Sequence, residues 1–276
     1  MNDRPCHTMY QAFLVDIDGV LTRGSSALPG AVDALRVIQT QGRVVLLTNN
    51  STRSQREVAQ YLSLLTLDVA AEDVLPTSTL AARYLRERAG ATMVWVVGEA
   101  GLRDELIIAG HELADRPDRA EWLVVGMDRR LDYEKLRLAL QALLGGARLL
   151  ATNEDATYPT GGGLVPGAGA VVGALRGMGY APEAVVGKPS RLAFEVALAQ
   201  LALPAERVLM IGDRLDTDIV GARAAGLDSA LVLSGVSAAG DLARTHVRPT
   251  WVAASLADLC AGRAQRCAGD DGRLSG

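Results

Sequence analysis

Aromatic residues are scarce in this chain: 2 Phe, 3 Trp and 6 Tyr among 276 residues. A core of ordinary size must therefore be filled by Leu, Val and Ala, the composition of Ala- and Leu-rich helices packed on Val-rich strands. Cysteine is rare as well. Cys6, Cys260 and Cys267 have no CxxC spacing, which excludes a disulfide framework and a zinc motif and fits a reducing cytosol. The 3 histidines, His7, His111 and His246, are widely separated, so neither a histidine metal cluster nor histidine-phosphate chemistry is supported. Positive charge is not in excess. A net charge of −4 argues against a general binder of nucleic-acid polymers, which needs a basic face. It leaves a small anionic substrate open, because one metal ion and one lysine can supply local positive charge. No apolar run reaches membrane-spanning length, and none sits behind a basic stretch as a signal segment would. A cytoplasmic protein without a membrane partner is expected.

What is present is a long alternation. Short apolar segments at Ala12–Val15, Val44–Leu47, Val208–Ile211 and Ala230–Leu233 read as strands buried on both faces. Between them, helices are signalled over Ala31–Ile38, after Asn50 with Val58, Tyr61, Leu62 and Leu65 on one face, and over Ile219–Ala225. Such strands alternating with helices imply a parallel sheet covered on both sides. A second α/β series occupies the middle: strands at Met93–Val97, Trp122–Val125 and Arg148–Ala151, and a helix capped by Asp132. The stretches Thr160–Gly163 and Pro166–Gly169 read as loops. At 276 residues two modules are expected.

Chemistry concentrates where strands end. Phe13-Leu14-Val15-Asp16-Ile17-Asp18-Gly19 places two aspartates and a glycine after a buried strand, at the crevice where open α/β sheets bind ligands. Two carboxylates there repel each other, and a hard cation is their natural third party. One can attack phosphorus while the other handles the leaving-group proton. Val44–Leu47 runs into Thr48-Asn49-Asn50-Ser51, whose hydroxyl and N–H donors suit a phosphoryl oxygen, although the segment taken alone reads first as helix capping. Val208–Ile211 runs into Gly212-Asp213-Arg214-Leu215-Asp216-Thr217-Asp218. Asp213 is placed to join the first pair around one Mg²⁺, Asp218 to support that site, and Asp216 reads as an acidic residue favoured by a helix start. Gly187-Lys188-Pro189-Ser190 sets a lysine in a tight loop at a strand end, beside the site of a phosphoryl group. Gly167-Ala168-Gly169 is not a dinucleotide loop, since no clear strand precedes it.

These four segments, in this order, resemble the four motifs of haloacid-dehalogenase-type phosphatases. With the intervening ATNEDATYP and PGAG segments, they resemble the NagD-like branch with a class IIA cap, whose members include p-nitrophenyl-phosphate, phosphoglycolate and pyridoxal-phosphate phosphatases. The resemblance implies Asp16 as nucleophile and metal ligand. It makes Asp18 the general acid/base and a ligand of Mg²⁺ through its backbone carbonyl. Thr48, Asn49, Asn50 and Lys188 then bind the phosphoryl group, Asp213 completes the metal site and Asp218 supports it. It also points to Tyr158, just before Pro159, as a substrate contact, and to a homodimer formed through the cap.

The expected architecture is a doubly wound parallel-sheet (Rossmann-like) core with an inserted α/β cap domain. Core parts are placed at 1–85 and 181–265, the cap at 86–180 and a disordered tail at 266–276. The expected function is Mg²⁺-dependent hydrolysis of a small phosphorylated metabolite through an aspartyl-phosphate. A phosphotransferase on the same core and a non-catalytic phosphate-binding regulator remain as alternatives.

Overall fold

The computed structural model of the chain describes residues 5–160 and 162–267. Close packing divides it into two units, Met1–Leu47 with Leu65–Leu67 and Phe194–Gly276, and Thr48–Leu64 with Asp68–Ala193. The expected cap, 86–180, falls wholly within the second unit, which also takes up Thr48–Leu64, 68–85 and 181–193 from the expected core parts.

In the first unit the sheet runs in the order Gln265–Arg266, Trp251–Ala253, Asp228–Val232, Val208–Gly212, Ala12–Val15, Arg43–Thr48. All neighbours are parallel except the Gln265–Arg266 strand. Ala12–Val15 and Val208–Gly212 are buried at every position, as strands covered on both faces must be. They pair in register from Ala12 opposite Val208 to Val15 opposite Ile211. From this pair the chain winds outward in both directions, toward Arg43–Thr48 on one side and Asp228–Val232 on the other. The pair is thus the topological switch point, and the crevice for a ligand opens beyond its carboxyl ends. Helix Ala31–Gln41 turns Ala31, Ala34, Leu35 and Ile38 inward, spaced for one apolar stripe.

Two details depart from the sequence reading. Instead of a plain helix over Ile219–Ala225, a π-helical turn at Leu215–Ile219 precedes a short helix at Val220–Ala224. The wider turn arises because Asp218 and Ile219 both donate their N–H groups to the Arg214 carbonyl. At the far edge, Arg266 lies in a strand opposite Trp251, whereas 266 was the expected start of the tail. Residues 268–276 of that expected tail lie outside the described residues.

The second unit is built on a parallel sheet ordered Ala184–Val185, Arg148–Ala151, Trp122–Val125, Met93–Val97, Glu112–Leu113. Trp122 is fully buried, and the Arg148 guanidinium stacks 4.1 Å from its ring centre. Helix Tyr133–Leu144 starts at Asp132, whose carboxylate accepts the Lys135 N–H at 2.8 Å. It buries Ala139, Ala142 and Leu143 against Val171, Val172 and Leu175 of helix Ala168–Gly177. Leu136 and Leu140 are only half buried, so of the expected leucine stripe only Leu143 is buried, together with two alanines. The stretch read as loops at Thr160–Gly163 instead closes a hairpin of Thr157–Thr160 with Gly163–Pro166. Thr160 makes this turn by donating its hydroxyl to the Gly163 carbonyl at 2.7 Å. Among the described residues no helix is long and apolar enough to cross a membrane.

Candidate active site

The switch-point strands of the first unit deliver carboxylates at their ends. Asp16 follows Val15 directly and donates its N–H to the Ile211 carbonyl at 2.9 Å, which fixes it beside the neighbouring strand. The chain then turns sharply. Leu21 and Thr22 donate to the Ile17 carbonyl, and Gly19 donates to the Thr22 carbonyl at 2.8 Å. Gly19 has φ +89°, and a Cβ there would lie 2.4 Å from Oδ2 of Asp213. Both the conformation and the crowding require glycine at this position.

Asp213 follows the partner strand and is 1% exposed. Its Oδ2 accepts the Val236 N–H at 2.7 Å, and its carbonyl accepts the Ser237 N–H at 3.1 Å. Ser234 donates its hydroxyl to the Gly19 carbonyl at 2.7 Å. The Ser234–Ser237 loop therefore ties the turn after Asp16 to Asp213. Sequence reasoning passed over this loop, although Ser-Gly-Val-Ser after an apolar strand of the same sheet is a detectable signal.

Asp16, Asp213 and Asp218 come together: all three are buried, and one oxygen of each lies within 4.8 Å of the others. Three carboxylates so close and so buried are costly unless a cation compensates. An all-oxygen, hard donor set suits Mg²⁺ rather than a softer metal. The expected Mg²⁺ site therefore fits the residues present. Asp218 joins the cluster itself while its Oδ2 accepts the Arg214 N–H at 3.0 Å. The Asp18 side chain is outside the cluster; its Oδ1 lies 3.5 Å from the Thr22 hydroxyl that donates to it. Its carboxylate is not one of the three in the cluster. Asp216 turns to Arg214, which binds it through two N–H groups at 3.0 and 2.7 Å and holds its carboxyl below the ordinary range.

The second unit gathers the remaining predicted residues. Thr48 ends its strand, 4% exposed, and its hydroxyl oxygen accepts the Asn50 N–H at 3.2 Å. Asn50 accepts from the Thr52 N–H and hydroxyl, each at 2.8 Å, and donates Nδ2 to the Tyr158 hydroxyl at 3.2 Å. Asn49 donates Nδ2 to Oδ2 of Asp155 at 3.0 Å and to the Lys188 carbonyl at 2.9 Å. Its Oδ1 accepts the Lys188 N–H at 2.8 Å. Lys188 is 3% exposed, an unusual depth for an ammonium outside an anion site. Asn153, Asp155 and Thr77 complete this network and were not singled out from the sequence, because only the fold brings residues 77, 153 and 155 to residue 49.

A family model for haloacid dehalogenase-like hydrolases matches residues 13–112, and a HAD-hydrolase-like model matches residues 185–259. The sugar-phosphatase AraL of Bacillus subtilis is 34% identical over 248 residues, covering 89% of this chain and 90% of its own. Among solved structures, a p-nitrophenyl phosphatase from Archaeoglobus fulgidus has a TM-score of 0.87 at 34% identity, covering 91% of this chain and 98% of its own. A glycerol phosphate phosphatase from Mycobacterium tuberculosis, solved with magnesium, has a TM-score of 0.86 at 36% identity, covering 93% of this chain and 78% of its own.

Proposed function

This chain belongs to the haloacid dehalogenase-like hydrolases, a phosphoric monoester hydrolase by its relatives, and we propose that it hydrolyses small sugar or polyol phosphates through an aspartyl-phosphate on Asp16. The reading rests on one observation above all, the buried cluster of Asp16, Asp213 and Asp218 at the switch point of the sheet. The substrate class follows the sugar phosphatase and glycerol phosphate phosphatase among the relatives.

In the first step an oxygen of Asp16 attacks phosphorus, and the bond to the leaving oxygen breaks. Asp18 donates its proton to that oxygen, releasing the alcohol. In the second step Asp18, now a carboxylate, removes a proton from water. The water oxygen forms a bond to phosphorus, the Asp16–phosphorus bond breaks, and inorganic phosphate leaves. Thr48, the turn at Asn49 and Asn50, and Lys188 grip the phosphoryl oxygens throughout, with Lys188 offsetting their charge. Asp16, Asp213, Asp218 and the Asp18 carbonyl would hold Mg²⁺, which would supply further positive charge to the phosphoryl group. Residues 86–180 act as the cap and present Tyr158 to the leaving group. The three free cysteines accord with a cytoplasmic location. Pairing of two copies through the cap belongs to the same proposal.

The test is turnover of p-nitrophenyl phosphate and a panel of sugar phosphates with Mg²⁺. Asp16→Asn keeps the shape of the site but loses the attacking oxygen, so kcat falls about a thousandfold or more. Near wild-type hydrolysis by this variant would refute the covalent route.

A further inference from the structure

Asparagine at the end of a phosphate-binding strand invites the reading that its amide touches the phosphoryl group. The hydrogen-bond inventory of Asn49 points elsewhere. A primary amide has two N–H donors and one carbonyl acceptor. Both donors of Asn49 are engaged, one to Asp155 at 3.0 Å and one to the Lys188 carbonyl at 2.9 Å. The acceptor takes the Lys188 N–H at 2.8 Å. The amide thus meets the Lys188 main chain at two points, donating to its carbonyl and accepting from its N–H, as a neighbouring strand would.

The main chain around Asn49 is fixed just as firmly. Its carbonyl accepts Nδ2 of Asn153 at 2.7 Å and the Thr77 hydroxyl at 2.8 Å, which occupies both lone pairs. Gly187 makes room for the contact: a Cβ there would lie 2.8 Å from Oδ1 of Asn49 and 2.5 Å from the Thr152 carbonyl. Any side chain at 187 would push the Lys188 loop off the amide.

We infer that the Asn49 side chain is a positioning group that sets the main chain of Lys188 and locks it to Asp155, rather than a ligand of the phosphoryl group. The inference rests on the reading that Lys188 binds the phosphoryl oxygens. Asp155 lies three residues before Tyr158, so one amide registers the lysine loop against the segment proposed to read the leaving group. A lysine carries its charge on a flexible four-carbon stem, and fixing its main chain is how the fold limits where the ammonium goes.

The experiment measures binding of inorganic phosphate to the Mg²⁺-saturated full chain by calorimetry, in wild type, Asn49→Ala, Lys188→Met and the double variant. Asn49→Ala should weaken phosphate binding about tenfold, and the double variant should bind no more weakly than Lys188→Met alone. Factors that multiply in the double variant would mean that Asn49 contacts phosphate itself, and would overturn the inference. Unchanged binding by Lys188→Met would overturn the parent reading as well, and is a different result. Should Asn49→Ala misfold, an isosteric pair carries the test. Asn49→Asp sets a carboxylate against Asp155 and the Lys188 carbonyl, and should lower kcat/KM by the same factor for every ester. Adding Asp155→Asn restores a donor facing the new carboxylate and should recover part of the loss, the Lys188 carbonyl still facing an acceptor. No recovery in that pair would overturn the lock.

Discussion

The main-chain N–H of Val236 donates to Oδ2 of Asp213 at 2.7 Å, and this bond sets which way the buried carboxylate faces. The residue before it, Gly235, lies so close that a Cβ would fall 1.9 Å from the same oxygen. Gly235→Ala must therefore displace the Asp213 carboxylate or the loop that holds it. Calorimetric titration of metal-free protein with Mg²⁺ should show affinity weakened about 10- to 100-fold, the usual cost of disturbing the groups that orient a metal ligand. Excess Mg²⁺ should restore much of kcat. An unchanged Mg²⁺ affinity would show that the loop has no hold on the site.

The metal itself gives a second expectation. Asp16 is both a member of the carboxylate cluster and the proposed nucleophile, so its oxygen must be held at one angle. Activity should vanish in chelator and return with Mg²⁺. Ca²⁺ should bind and inhibit, because its larger and more flexible shell misdirects the attacking oxygen. Full turnover in excess chelator would remove the metal from the mechanism.

Tyr158 offers the leaving group a ring face and a hydroxyl already oriented by the Asn50 amide at 3.2 Å. Tyr158→Ala should change the order of preference among sugar and polyol phosphates, with individual kcat/KM values shifting about five- to tenfold. p-Nitrophenyl phosphate should be affected least. The measurement is a kcat/KM panel with melting temperature as the folding control. A uniform change across all esters would leave Tyr158 a packing residue.

Glu99 and Arg129 form a two-pronged ion pair at 2.7 and 2.5 Å, and this pairing holds the Glu99 carboxyl below its ordinary value of 4.5. A carboxyl whose value falls on folding stabilises the native state above its unfolded value, and that contribution fades as pH drops through its folded value. Glu99→Gln should lower the melting temperature at pH 7 by about 2 °C, in keeping with about 0.5 kcal/mol for a partly exposed pair. The difference between variant and wild type should shrink steadily below pH 4.5. A gap that stays constant into acid would assign the loss to packing.

The parts legible in the sequence are those that chemistry confines to a few consecutive residues. Asp16, Asp213, Thr48 and Lys188 each follow an apolar segment, and the apolar segment itself announces the strand end. The sheet could be read for the same reason, since strands buried on both faces have no polar position to confuse the pattern. What could not be read is pairing at long range. Nothing near Asn49 announces Thr77, Asn153 or Asp155, because an amide has the same local sequence whichever partner it finds. Asp218 shows a related limit: its spacing from Asp213 suggests a supporting role, and only the fold shows how close its buried carboxylate comes to Asp16 and Asp213. The hairpin at Thr157–Pro166 was masked by its glycines, which serve a tight turn as readily as an open loop.

The short antiparallel strand Gln265–Arg266 has a meaning apart from catalysis. It lies against Trp251–Ala253, a strand that would otherwise end the parallel sheet with a row of open N–H and C=O groups. Such an edge is a template for strands from other molecules and a seed for aggregation. Here two exposed polar residues occupy it, with the Arg266 guanidinium 5.9 Å from the Trp251 ring centre. Colloidal behaviour in a crowded solution thus depends on two residues that take no part in the chemistry, and a chain cut before Gln265 would keep its carboxylates yet bare an adhesive border.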